Sequence, residues 1–308
     1  RQWQPTEEKA DILFLSTHPD DELIFFGGAI PTYAVEQQRK VVVAYFTRSN
    51  TTRSSELLNG LWHMGVRTYP VIGNFKDSYA KSLKAAYKSA GGKGKVNEWI
   101  VGLYRQYKPE VVVTQDTNGE YGHKQHMMIA DAAQNCIALA ANEDEFTAST
   151  IAYGTWQVKK LYLHLYPENQ ITFDWTVPLK SMNGATGIEL AEEAYTLHKT
   201  QASSGMSVTE TGTKYDNRVF GLAFTTVGED VRKDDFLENI YDAPGSYDAA
   251  ANNVEATPAP TEVPAYMAHM PALNAKGFLD EGEYLYSSED EGPVSYTHLR
   301  AHETPEHL

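Results

Sequence analysis

The sequence predicts an α/β fold, a mostly parallel sheet with helices on both faces, and three observations predict it. Short apolar runs rich in Val recur at "DILFLSTH" (11–18), "KVVVAYFTR" (40–48) and "PEVVVTQD" (109–116), each ending at polar residues as a buried strand does. Helical patterns separate them: "ELIFFGGAIPTYAVEQQ", then "SSELLNGLWHMGV" and "VNEWIVGLYRQY". Two dense polar clusters, "THPDDE" and "QDTNGEYGHKQH", each follow an apolar run. Both should therefore open on the carboxyl edge of the sheet, where ligands of such folds gather.

Along the chain, the basic stretch "KSLKAAYKSAGGKGK" (81–95) lacks the strand and the GxxxxGK[ST] spacing of a phosphate loop, and reads as a solvated helix end and mobile loop. After "PEVVVTQD" a loop leads into a helix from about His126 to Ala141. That helix carries the lone cysteine, Cys136, which cannot form an internal disulfide and reads as a small apolar packing residue, so the redox compartment stays undecided. From 156 to 179, "WQVKKLYLHLY" and "ITFDWTVPL" alternate as strands do and predict an edge hairpin, while "IELAEEAYTLHKTQ" (188–201) returns to helical spacing.

The domain carrying the polar clusters is expected over residues 1–235. An acidic linker rich in Pro and Ala follows at 236–266, its composition most marked from 242. Residues 267–292 read as the opening strands of a β-rich module too short to fold alone, and 293–308 as an adaptor-like tail whose histidines carry no functional weight. The expectation is a truncated multidomain chain.

The net charge of −15 is unevenly placed. Residues 1–233 hold 24 Lys+Arg against 26 Asp+Glu, whereas 234–292 hold one Lys and 13 acids. An acidic total without a basic stripe argues against nucleic acid as the main partner. No apolar run approaches the roughly 20 residues that span a bilayer. The downstream linker and unfinished β segment favour an extracellular or cell-surface setting, with a cytoplasmic one as the alternative, and the oligomeric state is not legible.

His18 and Asp21 are spaced H-x-x-D across a tight turn, and His123 and His126 are spaced H-x-x-H where a loop enters a helix. Residues three apart can point the same way. Two imidazoles with a carboxylate suit zinc, and three protein ligands with one open position is the catalytic arrangement. Taken singly, Asp20 or Asp21 reads as a helix N-cap and an H-x-x-H pair as surface histidines. Capping one helix, however, does not call for Asp20, Asp21 and Glu22 together, and the second cluster brings Glu120, Tyr121 and two histidines to the same edge.

These stretches, "HPDDE", "RSSELLNGLWHMGV", "GEYGHKQH" and "AYTLHKTQ", resemble the PIG-L (LmbE-like) family of zinc-dependent N-deacetylases over about residues 10–202. The resemblance implies a Rossmann-like fold, a divalent metal, usually Zn2+ with Fe2+ as another possibility, and hydrolysis of the acetamide of an amino sugar or glycan. It implies that His18, Asp21 and His126 bind the metal and that Asp20 is the general base. Tyr121 and His123 match positions that stabilise the oxyanion, Arg53 one that contacts substrate, and His198 and Gln201 a late motif with a structural role open to them. Zinc-activated water, proton relay by Asp20, and an oxyanion partner in a His123 imidazolium or the Tyr121 hydroxyl together make an amidase.

Within that chemistry, a thiol-conjugate or other non-carbohydrate amide is an alternative substrate, and a non-catalytic glycan-binding module is the alternative of another class. Trp156, Trp175 and several tyrosines are candidates for stacking on sugar rings, against the plainer reading of aromatics as core.

Overall fold

The computed structural model describes residues 2–48, 50–201, 205–208 and 215–241; the expected linker beyond 241, β-rich fragment and adaptor-like tail lie outside the described residues. In chain order the elements are β1 (Ile12–Ser16), α1 (Asp21–Phe26), α2 (Ala29–Pro31) running into a π-turn (Thr32–Glu36), β2 (Val41–Thr47), α3 (Thr51–His63) and β3 (Val71–Phe75). Next come α4 (Leu83–Ser89), α5 (Lys93–Tyr107), β4 (Val111–Thr114), α6 (Lys124–Ala141) and α7 (Thr147–Tyr153). The last are β5 (Lys160–His164), β6 (Gln170–Thr172), α8 (Gly187–Tyr195) and β7 (Val219–Thr225).

The seven strands form one sheet in the order β3-β2-β1-β4-β5-β7-β6, with β1 to β5 parallel and β7 antiparallel to both neighbours. The period of two along each central strand splits its side chains between two cores. Ile12 and Phe14 of β1, and Val41, Val43 and Tyr45 of β2, face the core with α1 and α3. Leu13 and Leu15, with Val42, Ala44 and Phe46, face the core with α5 and α6. Each fully buried Leu or Phe contributes roughly 1.5–3 kcal/mol, which is why continuous apolar runs, and not alternating ones, mark these strands.

The expected edge hairpin is not formed. β7, which the sequence analysis does not find, inserts between β5 and β6, so β5 is an interior strand buried along its whole length. Its alternation misleads because Lys160 and His164 are buried with partners: the Lys160 ammonium donates to Asp230 and to the Glu238 carbonyl at 2.9 Å, and His164 reaches Glu120. β3 is likewise missing from the sequence reading; Gly73 and Asn74 interrupt its apolar run.

The domain also runs past its expected end at 235. Phe236 and Leu237 are wholly buried, Phe236 stacks on Tyr33 with ring centroids 5.5 Å apart, and the Tyr33 hydroxyl donates to Asp235 at 2.8 Å. Residues 236–241 are thus part of the folded unit, because their apolar side chains close the sheet face beneath β5. Among the described residues no helix is long and apolar enough to cross a membrane.

Arg105 of α5 ties down the far end of α6. Its guanidinium donates to the carbonyls of Leu139, Ala140, Asn142, Glu145 and Phe146 and to the Ser149 hydroxyl, at 2.7–3.1 Å. These include the unpaired carbonyls at the helix end, which a cation stabilises. Arg105→Met is expected to cost roughly 3 kcal/mol by stranding buried acceptors, read as a lowered urea midpoint with an unchanged slope.

Candidate active site

β1 and β4 are neighbours at the centre of the sheet, and the chain leaves them in opposite directions. A crevice therefore opens beyond their carboxyl ends. The loops leaving the two strands are joined directly: the Thr17 backbone N–H donates to Gln115 Oε1 at 2.8 Å. Gly119 shapes the second loop; its φ is +70°, and a Cβ there would lie 2.3 Å from the His123 carbonyl oxygen.

His18, Asp21 and His126 converge at the base of this crevice. His18 Nδ1 lies 3.0 Å from His126 Nε2 and 3.2 Å from Asp21 Oδ2, and the last two atoms are 3.3 Å apart. Ligands about 2.0–2.1 Å from a tetrahedral ion stand roughly 3.3 Å from one another, so this donor set fits one common cation. Asp21 Oδ2 also accepts the His18 backbone N–H at 2.7 Å, which fixes the H-x-x-D turn. A wider group of His18, His123 and His126 has ligand atoms within 4.8 Å of one another, leaving His123 the looser member.

The electrostatics agree with a cation site. Burial pulls the His18 imidazole down, but the Asp21 carboxylate outweighs it and raises the group to about 10. Burial likewise opposes protonation of His126, yet Asp21 and Glu120 raise it to about 9. Asp21 is driven up by burial and pulled well below the usual carboxylate range by the two imidazoles.

Behind the trio stands Glu120, wholly buried with φ +54°. Its Oε2 accepts from His126 Nδ1 at 2.7 Å, and Oε1 accepts the Asp116 N–H at 2.9 Å and lies 3.2 Å from His164 Nδ1. Such a carboxylate fixes the ring and the tautomer of the histidine it holds. His164 stands on β5, outside both motifs, and no local pattern marks it. Gln125, wholly buried, lies 3.2 Å from His18 Nε2 through Oε1 and holds the 76–78 loop. That loop presents Asp77 to His18 at 3.4 Å and to Arg53 at 3.8 Å. Neither Gln125 nor Asp77 is singled out in the sequence, although Gln125 directly precedes His126.

Neither acid of the first motif caps its helix. Asp20 holds the N-cap position of α1 with φ 135° and makes no side-chain cap bond, a strained conformation for a residue with a side chain. Arg53 of α3 fixes it there, donating through Nη2 to the Pro19 carbonyl at 2.7 Å and to Asp20 Oδ1 at 3.3 Å. Burial and the charge of Asp21 raise Asp20 to about 7, against the opposing pull of Arg53 and the two histidines. The third carboxyl, Glu22, is raised to about 8 by burial and Asp20. It anchors the turn by accepting the Asp20 backbone N–H at 2.8 Å.

His123 and Tyr121 flank the mouth. His123 Nδ1 accepts the Gln125 N–H at 3.3 Å, which puts the ring proton on Nε2. Burial and the adjacent His126 and His18 push His123 down to about 4, which favours a neutral ring with an N–H to donate. Burial raises the Tyr121 hydroxyl, which keeps its proton and can donate as well.

All seven expected site residues meet at this crevice: six line a pocket of about 170 Å³, and His126 lies beneath it. Gln201 lines the same pocket, while His198 is buried with Nε2 3.9 Å from Glu22 and packs close to Gly60. The tryptophans are structural. Trp156 donates to the Pro109 carbonyl, at the opposite edge of the sheet, and Trp175 stacks on Phe173 in the core.

Residues 13–137 match the PIG-L family, described as GlcNAc-PI de-N-acetylase. The chain is 29% identical over 180 residues to a 1D-myo-inositol 2-acetamido-2-deoxy-alpha-D-glucopyranoside deacetylase of Frankia casuarinae, covering 49% of this chain and 57% of that protein. A protein of the same description from Catenulispora acidiphila is 26% identical over 240 residues, covering 68% and 73%. The chain thus spans between about half and three quarters of the length of these relatives. A solved N,N'-diacetylchitobiose deacetylase from Pyrococcus horikoshii aligns with TM-score 0.46 and 17% identity over 62% of this chain and 71% of that one.

Proposed function

We propose that this chain, whose residues 13–137 match the PIG-L (LmbE-like) family, is a metal-dependent N-deacetylase of an N-acetylated amino sugar or glycan. The observation that carries the proposal is the 3.0–3.3 Å triangle of His18 Nδ1, Asp21 Oδ2 and His126 Nε2 at the base of an open pocket. These three residues would hold the ion, with zinc preferred for two imidazoles and a carboxylate and Fe2+ as the alternative. A divalent ion there supplies Lewis acidity toward the acetyl carbonyl and acidifies water.

The chain's own groups account for the rest. The Asp20 carboxylate accepts a proton from the attacking water and returns it to the amide nitrogen, which leaves as an amine and not as a very poor anionic leaving group. Arg53 keeps Asp20 turned into the pocket and neutralises part of the acidic cluster. His123 Nε2–H and the Tyr121 hydroxyl donate to the oxygen that becomes negative in the transition state.

The test is direct. Zinc-loaded protein incubated with N-acetylglucosamine oligosaccharides should release acetate and free amine in equal amounts, and a chelator should stop it. Zinc bound at one ion per chain with no amine from these sugars would sink the proposal.

Metal binding should also depend on pH. Because both imidazoles are raised above the usual histidine value, the metal-free trio retains a proton at neutral pH that a cation must displace. Affinity for zinc is therefore expected to rise with pH up to about 9, at up to tenfold per unit for each proton released. Calorimetry in buffers of different ionisation enthalpy counts those protons, and a pH-independent affinity would contradict the raised histidines.

A further inference from the structure

Tyr79 is 85% exposed, yet it is held in place. On its N-terminal side, the Gln125 amide accepts the Ser78 N–H at 2.9 Å and donates to the Lys76 carbonyl at 3.0 Å. The Ser78 hydroxyl bonds Ser89 of α4 at 2.7 Å, and Ala80 N–H closes a short turn onto the Ser78 carbonyl at 3.2 Å. The Tyr79 and His123 rings meet in a T-shaped contact at 5.1 Å, and Tyr121 makes a second T-shaped contact with the same imidazole at 5.7 Å. The flanking backbone is anchored while the ring is left largely to solvent at the pocket mouth.

The pocket itself, at about 170 Å³, is well below the roughly 300–1,000 Å³ of sites that enclose a drug-sized ligand. It has room for the acetamide and the ring that bears it. Whatever is attached to that ring must lie over the rim, where Tyr79 offers an apolar face beside the half-exposed Asp77 carboxylate. An apolar face next to a hydrogen-bond acceptor complements a pyranose, which presents C–H groups on its faces and hydroxyls at its edge.

We propose that Tyr79 is a specificity-determining residue, an outer platform that stacks a second sugar ring, so that the preferred substrate is an amino-sugar oligosaccharide and not a free monosaccharide. The proposal rests on the deacetylase reading above and deepens it. The test compares N-acetylglucosamine with its β-1,4-linked dimer and trimer on zinc-loaded wild type, Tyr79→Ala, Tyr79→Phe and Tyr79→Trp.

For wild type, kcat/KM for the dimer is expected to exceed that for the monomer by about tenfold. Tyr79→Ala should collapse that ratio toward one, and Phe and Trp should preserve it, because the ring and not the hydroxyl does the stacking. An unchanged ratio in Tyr79→Ala, or its loss in Tyr79→Phe, overturns the platform. Calorimetric affinities for the dimer and monomer form a second arm. If no sugar releases acetate but the dimer still binds tighter through Tyr79, the deacetylase reading fails alone; equal affinities in wild type and Tyr79→Ala dispose of the platform whatever the activity.

Discussion

Asp20→Asn is expected to keep one zinc per chain while lowering kcat by about 10²–10⁴. The substitution preserves size and still offers Arg53 an acceptor at the position of Oδ1, 3.3 Å from Nη2 in the native protein. It leaves untouched the three atoms that meet at 3.0–3.3 Å. What it removes is the carboxylate proposed to take a proton from water and give it back, and the amine then has to leave without that relay. Elemental analysis and acetate release, measured on the same preparation, separate binding from turnover. Near-native turnover with full zinc would show that Asp20 is not the base, whereas joint loss of zinc and turnover would make it a ligand. Asp20→Ala should behave as Asp20→Asn does, which guards against an effect peculiar to the amide.

His126→Ala is the second large effect, and here both zinc and turnover should fall to background. The ring is wholly buried and is the point at which the two distant loops are joined through a shared ligand set. Since so large a deletion in a packed site also lowers stability, Glu120→Gln serves as the companion. It keeps the volume but replaces the carboxylate that accepts from His126 Nδ1 at 2.7 Å. Loss of such an outer partner weakens metal affinity by about 10–100-fold, which a competition titration with a chromophoric chelator resolves. Unchanged affinity in Glu120→Gln would mean that His126 is oriented by packing alone. Full zinc in a folded His126→Ala protein would transfer the ligand role to His123, the looser member of the three-histidine group.

The central half of the sheet was legible because its strands announce themselves locally. β1, β2 and β4 are buried on both faces, so near-continuous apolar runs mark them in the sequence. Where a strand carries buried polar residues, the local pattern points elsewhere. β5 reads as an amphipathic edge strand until Asp230, about seventy residues on, and Glu120, forty-four residues back, are seen to pair with its Lys160 and His164. The missed β7 had the further effect of turning an expected hairpin into a three-stranded arrangement with β6 at the rim. The expected boundary at 235 fell short for a similar reason: "DDFLENI" looks like the start of an acidic linker, but Phe236 and Leu237 fill the face beneath β5.

The same division runs through the site. By itself the sequence determined that two polar clusters follow two strands, and the parallel α/β order was enough to bring them to one edge, because strand direction fixes which end of each strand opens where. It also determined the residue types, two imidazoles and a carboxylate, to which a cation answers. Only the tertiary structure decided which way each group is pushed: Glu22 and Asp20 upward and His123 downward, burial being the largest cause of each. It alone decided the outer partners as well, Glu120 with His164 on one side and Gln125 with Asp77 on the other. Protonation and orientation depend on burial and on charges a few ångströms away, and those neighbours come from chain segments whose separation in sequence leaves no local trace.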